Sequence, residues 1–190
     1  MLRTYAAALA LSTLSLSGCA SMSSERAAVA GNTTVGGAAM YGSRNIVENA
    51  VNSPIHTTLV AAVQAAGLAG TLSGPGPFTV FAPTNDAFAK LPAGTVDTLL
   101  QPSNRATLQS VLTYHVVPGR ITAADLVGMI RAGAGQARLT TVQGGTLVAS
   151  MMNGGVVLTD AKGGTAHVTQ ADVMQSNGVI HVTDAVSLPG

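Results

Sequence analysis

The run Phe78-Thr79-Val80-Phe81-Ala82-Pro83-Thr84-Asn85-Asp86-Ala87-Phe88 holds all three phenylalanines of the chain and sets the architecture around it. Phe78 to Ala82 is an unbroken apolar and β-branched series between Pro77 and Pro83, the pattern of a strand covered on both faces. Pro83 ends it, because proline has no N–H to give to a ladder. Thr84 is placed to cap a helix opening at Asn85-Asp86, where the acid lies at the positive helix end and Ala87, Phe88 and Leu91 supply an apolar face. A buried strand running straight into a capped helix is the expected nucleus of the fold.

Upstream, Asn45 stands three residues before Glu48, and Ile46, Val47, Ala50 and Val51 recur at helical spacing, which predicts a short first helix. Ser53-Pro54 reads as the cap and first position of a second helix, whose Leu59, Val60, Val63 and Ala66 form one stripe before Gly67 ends it. A glycine and proline loop over Gly70 to Pro77 then delivers the chain to the central strand. Downstream, Thr95 and Ser103 are the expected caps of two more helices, the second carrying Leu108, Val111 and Leu112. Val116-Val117 is a brief strand closed by the turn pair Pro118-Gly119, and Thr122 with Asp125 opens a helix through Leu126, Met129 and Ile130. From Arg138 the texture changes to threonine and valine runs separated by Gly144-Gly145, Asn153-Gly154-Gly155, Lys162-Gly163-Gly164 and Asn177-Gly178. Turn signals at that regularity predict successive antiparallel hairpins, the last with Asn177-Gly178 as its two-residue turn.

The central run, Tyr114-His115-Val116-Val117-Pro118-Gly119 and Asn177-Gly178-Val179-Ile180-His181-Val182-Thr183-Asp184 together resemble the three signature segments of the fasciclin domain family, in the family's order. The resemblance covers about Arg44 to Pro189. It implies an α+β fold, a wedge of β-sheet flanked by several short helices in a single domain over residues 44–189. It also implies use outside the cytoplasm, in adhesion and matrix contacts rather than as an enzyme, with no cofactor.

Two places draw attention as partner-binding candidates. Tyr114 and His115 form the pair on which family accounts of adhesion focus; at a helix-to-strand junction they equally fit a packed pair with its polar atoms satisfied internally. Asp172 and Val173 stand where some similar animal domains carry an acid followed by isoleucine or leucine, proposed to engage integrins. Valine departs from that pattern, and Arg-Gly-Asp is absent from the chain. The plainer reading of Asp172 is one acid keeping a sheet edge soluble.

The start of the chain reads differently. Arg3 precedes an apolar stretch from Ala6 to Leu16, too short to span a bilayer, which takes about 20 residues, and of signal-peptide length. Leu16-Ser17-Gly18-Cys19 resembles the lipobox of bacterial lipoproteins, so residues 1–18 are expected to be removed and Cys19, the sole cysteine, to carry the lipid. Several acyl chains on one residue give stable anchoring. Ala20 in place of aspartate favours the outer membrane over retention in the inner one. Residues 19–43, small and polar without a sustained period, are expected to be a flexible linker that cannot bury enough apolar area to offset its ordering.

Composition narrows the function. Charged residues are 9% of the 190, the net charge is +1 and no basic cluster exists, so the phosphate-neutralising interaction that nucleic-acid binding needs has no source. A metal site would have to come from His56, His115, His167 and His181. With the last turn at Asn177-Gly178, Met174 would face His181 and His167 would lie roughly 20 Å away on the other sheet face, too far for a shared ion. There is no Gly-x-Ser-x-Gly elbow and no tryptophan. The leading reading is a non-catalytic, lipid-anchored module contacting a protein or matrix component at a bacterial envelope. The alternative is a periplasmic or secreted carrier of a small hydrophobic ligand, held between the helices and the sheet.

Overall fold

A computed structural model describes residues 33–190. The first half of the chain forms β1 (Thr33–Val35), β2 (Ala38–Met40), α1 (Ile46–Val51), α2 (Thr57–Ala66), α3 (Ala69–Leu72), β3 (Phe78–Pro83), α4 (Asn85–Ala89) and α5 (Thr95–Leu100). A 3-10 turn at Pro102–Asn104 leads to α6 (Arg105–Tyr114), β4 (Val116–Pro118) and α7 (Ala123–Ala132). Five strands follow: β5 (Gln136–Thr140), β6 (Thr146–Met152), β7 (Gly155–Thr159), β8 (Thr165–Gln175) and β9 (Gly178–Thr183).

Seven strands make one sheet in the order β4-β3-β9-β8-β7-β6-β5, and β1 and β2 form a separate two-stranded ribbon. The β5 to β9 run is the chain of antiparallel hairpins the turn signals predict. The final strand returns to lie parallel to β3, with Val80 opposite Ile180 and Phe81 opposite His181. The two signature strands are thus interior neighbours in the sheet, one strand in from its β4 edge.

The alternation of β3 divides the interior in two. Val80 and Ala82 point into a core shared with α1, α2, α6 and the β1–β2 ribbon, where they meet Leu59, Leu112 and Ile180. Phe81 points the other way, into a core made with Tyr114, Leu126, Ile130 and the inner faces of β5 to β8. A strand buried on both faces calls for apolar residues, and β3 has them except at Thr79, whose buried hydroxyl donates to the Gly119 carbonyl. Thr84 caps α4 by accepting from the Ala87 amide, as the sequence predicts, and the capping boxes Asn45/Glu48 and Thr122/Asp125 both form.

The structure corrects the sequence reading at five places. The loop expected over Gly70 to Pro77 starts only after Leu72, because Gly70 to Leu72 complete the short helix α3. The stretch 19–43, expected to be a linker throughout, enters the folded body at Thr33: β1 and β2 pair across Gly36-Gly37, and Val35 and Met40 are buried in the first core. The second helix begins at Thr57, not at Pro54. Its first turn is capped from a distance, the Asn85 Oδ1 accepting from the Thr58 amide and the Thr57 hydroxyl. The helices expected to start on caps Thr95 and Ser103 follow Gly94 and Asn104 instead, with no side-chain cap bond. Finally, the last hairpin turns at Ser176-Asn177, so Met174 faces Val179 rather than His181, and the β8–β9 pairing slips twice between Val168 and Val173.

Candidate functional site

The residues singled out from the sequence lie on either side of the β3–β9 pair. Tyr114 ends α6 and is fully buried. Its hydroxyl donates to the Thr146 carbonyl (2.7 Å) and accepts from the Ala161 amide (3.1 Å), joining the helix to two hairpins. His115 follows at 3% exposure. Its Nδ1–H donates to the Val111 carbonyl (2.8 Å), which leaves Nε2 to accept from the Ser187 amide (3.0 Å) and fasten the C-terminal segment. Beside it the Asp160 carboxylate accepts from the Lys162, Gly164 and Leu188 amides, closing one turn and holding the same segment.

Asp172 and Val173 occupy the bulged part of β8. Val173 is wholly inside the first core. Asp172 has a left-handed backbone (φ 58°), and its carboxylate accepts from the Ala123 amide (2.7 Å) in the first turn of α7. Its own amide donates to His181 Nδ1 (3.3 Å), while His181 Nε2–H donates to the Ile121 carbonyl (2.8 Å). His181 stacks on Phe81 with 5.5 Å between ring centroids. Tyr114, His115 and Val173 are therefore not available to a partner, and Asp172 is half-buried with its carboxylate engaged. The packed reading of Tyr114-His115 describes the geometry, and Asp172 is a bulge and helix-end residue rather than a free edge acid.

Burial lowers the pKa of His56, His115 and His181 below the usual histidine value. The opposing influences are smaller: the nearby Ala82 carbonyl at His56, carbonyl bonds at His115 and His181, and the Asp160 and Asp172 charges at those two. Burial thus favours the neutral form of all three rings. The Asp125 pKa is lowered as well, by its bonds to the Thr122 hydroxyl and amide, which favour its charged form. Among the described residues no three His, Cys, Asp or Glu side chains converge on one point.

Three residues outside the partner-binding candidates carry much of the local order. Asn177 accepts from the Ile46 amide through Oδ1 and donates through Nδ2 to the Leu72 and Gly74 carbonyls, tying the last hairpin turn to α1 and α3. A Cβ on Gly178 would collide with the Phe78 carbonyl, so the close approach of β3 and β9 requires glycine there. Asn49, buried in α1, bridges the Tyr41 carbonyl and the Gln175 side chain.

The open surface offers hollows of ≈ 630 Å³ beside the β8–β9 turn and ≈ 550 Å³ between α6 and the C-terminus. Arg120 and Asn177 line the first. At its margin Arg44, whose carbonyl accepts from the Ser176 amide, stacks over the exposed Tyr41 ring at 4.8 Å. No helix of the described residues is long and apolar enough to cross a membrane. Cys19 lies outside the described residues.

A family model described as the fasciclin domain matches residues 54–189. The chain belongs to the fasciclin domain family. Within that family it is 49% identical over 159 residues to protein sll1483 of Synechocystis, covering 83% of this chain and 81% of the relative. It is 38% identical over 145 residues to the immunogenic protein MPB70 of Mycobacterium bovis, covering 74% and 66%. Among solved structures, a FAS1 domain pair from the insect cell adhesion molecule fasciclin I superposes with a TM-score of 0.67 at 20% identity, over 75% of this chain and 50% of that one. That likeness is one of fold, and this chain spans one half of the pair.

Proposed function

We propose that this fasciclin-domain protein is a non-catalytic adhesion module of a bacterial envelope, held to the membrane by a lipid on Cys19 and working through its surface against a protein or matrix component. The observation that carries this reading is the inward direction of the signature residues. Tyr114, His115 and His181 spend their polar atoms on backbone groups of the same chain, so they build the wedge and leave contact to its outside. The hollow beside the β8–β9 turn, with Arg120 inside it and the Tyr41–Arg44 pair at its margin, has the tyrosine and arginine that interface centres favour. The fasciclin fold of an insect cell adhesion molecule supports a role of the same kind. The signal-like start and the lipobox support a position outside the cytoplasm, with Ala20 favouring the outer membrane.

The test is binding of the purified protein to cells or matrix of its own source. Saturable binding that weakens at least several-fold in Tyr41→Ala with Arg44→Ala, at unchanged stability, is the expected result. Folded protein that binds nothing saturably overturns the reading. Anchoring is tested separately: Cys19→Ser is expected to move the protein from the membrane to the soluble fraction, and an unmodified N-terminus elsewhere in the chain removes the lipid claim.

A further inference from the structure

The hollow of ≈ 630 Å³ beside the β8–β9 turn is walled by two segments fastened to each other. Asn177 Nδ2 donates to the Leu72 and Gly74 carbonyls, and Gly76 lies so close to the Asn177 carbonyl that a Cβ there would collide with it. The walls are therefore set before any partner arrives. Arg120 is held in place as well: its Nη2 donates to the Gln175 (3.2 Å) and Ser176 (3.3 Å) carbonyls, while its Nη1 and Nε N–H groups have no partner among the described residues. No carboxylate neutralises it, because the ion pair among the described residues is Lys90–Asp184. Around it the lining carries the Ser73 and Ser176 hydroxyls and the Asn45 Nδ2 group, none of them bonded to another described residue, and the rings of Pro75 and Pro77. Glu48, the acid nearest along the chain, is spent on the Asn45 amide as a helix cap.

We propose that this hollow takes a uronic acid unit of an acidic polysaccharide, its carboxylate on Arg120 and its hydroxyls on Ser73, Ser176 and Asn45; the inference rests on the adhesive surface proposed above and names the chemistry of its partner. One guanidinium among neutral hydrogen-bonding groups matches a unit with one charge and several hydroxyls. Arginine to carboxylate is a charge-assisted bond, and serine hydroxyls donate and accept, so they meet a sugar hydroxyl in either sense. Arg44 at the margin, likewise without a carboxylate partner, supplies a second charge for the next unit. An acidic peptide fits less well. Peptides gain affinity by adding a strand to a free sheet edge or by seating side chains in apolar pockets. Here β3 and β9, which flank the walls, already have a neighbour on each side, and the lining holds no aliphatic or aromatic side chain besides the two prolines. A phosphate-dense polymer calls for a basic cluster, which the chain lacks.

The experiment titrates the full-length protein with tetragalacturonate, with its methyl ester, which lacks the charge, and with tetraglutamate, which carries the charge on a peptide, following the amide signals by NMR. Tetragalacturonate is expected to shift Ser73, Arg120 and Ser176 saturably with Val80 unmoved, to bind about fivefold or more tighter than either counterpart, and to weaken in high salt. Arg120→Gln should weaken it about tenfold. Because that variant also gives up the bonds to the Gln175 and Ser176 carbonyls, Ser176→Glu is the second: it sets a like charge against the ligand at an exposed position and should abolish binding at unchanged melting temperature. No saturable shift, equal binding of the methyl ester or of tetraglutamate, or tetragalacturonate binding that survives Ser176→Glu in folded protein each overturns the proposal. Binding to cells or matrix that depends on Tyr41 and Arg44, without binding of tetragalacturonate, overturns this inference and leaves the adhesive reading standing; tetragalacturonate bound at Arg120, without saturable binding to cells or matrix, upholds the site and overturns the adhesive reading.

Discussion

Asp172 holds a left-handed backbone, a conformation that asparagine and aspartate tolerate and most residues do not, and its carboxylate takes up an amide in the first turn of α7. Both demands are met by asparagine and neither by alanine. Asp172→Ala is therefore expected to lower stability by about 2 kcal/mol through the lost end-of-helix bond and the strained φ, and Asp172→Asn to stay within about 1 kcal/mol of the parent, in urea unfolding at constant m-value. Equal losses in both would show that the carboxylate's charge, not its geometry, matters. The same residue shows why the candidate site was only half legible. That Asp172 precedes a buried valine is written locally, but its partner at Ala123 lies 49 residues earlier, and the bulge that turns it inward follows from pairing with β9. Tyr114 is similar, since its partners arrive 32 and 47 residues later. A resemblance names such residues; only the assembled fold decides whether they face in or out.

At the level of elements, caps with both partners within one turn were readable, and those supplied across space were not. Asn45, Thr84 and Thr122 each serve the helix that follows them. The start of α2 instead borrows Asn85 from the central run, so Asn85→Ala is expected to cost about 1 kcal/mol and to speed amide exchange selectively at Thr58. Unchanged exchange there would refute the borrowed cap. The β1–β2 ribbon escaped the sequence reading for a different reason: three-residue strands of small residues carry too little alternation to register. What identifies the ribbon as structure is burial of Val35 and Met40 against α1, α2 and β3, because an isolated two-stranded ribbon is marginal in water. Met40→Ala should accordingly lower stability by about 2–5 kcal/mol, while Val51→Ala, at an exposed position of α1, should change it by less than about 0.5 kcal/mol. A Met40 variant as stable as the parent in chemical denaturation would return this segment to the status of a tether.

Over the whole molecule, the signature segments converge: Val80, Leu112 and Ile180 meet in one core, and Phe81 and Tyr114 in the other. Each core is bordered by buried histidine whose neutral form burial favours, which ties the stability of the wedge to pH. His56, His115 and His181 have folded-state pKa values below the ordinary 6.5. Between the folded and unfolded values the unfolded chain binds more protons, so stability rises with pH across that window. The contribution is complete above about pH 6.5 and is lost progressively as pH falls below it, at a limiting slope of about 1.4 kcal/mol per pH unit for each histidine. The groups facing the rings oppose this only in part: Asp160 near His115 and Asp172 near His181 favour protonation, but burial dominates at both. Asp125 does not contribute in this range, because its pKa is lowered from 3.8 and its loss comes at still lower pH. Protonation would also remove the acceptor nitrogens that hold the Ser187 amide and the Asp172 amide, so the C-terminal segment and the β8 bulge should loosen first. Urea unfolding at pH 7.5, 6.5 and 5.5 is expected to show little change over the first interval and a clear decrease over the second, with amide exchange at Ser187 and Asp172 accelerating ahead of Val80. A stability that stays level from pH 7.5 to 5.5 would mean that the buried rings do not set the acid limit of this fold.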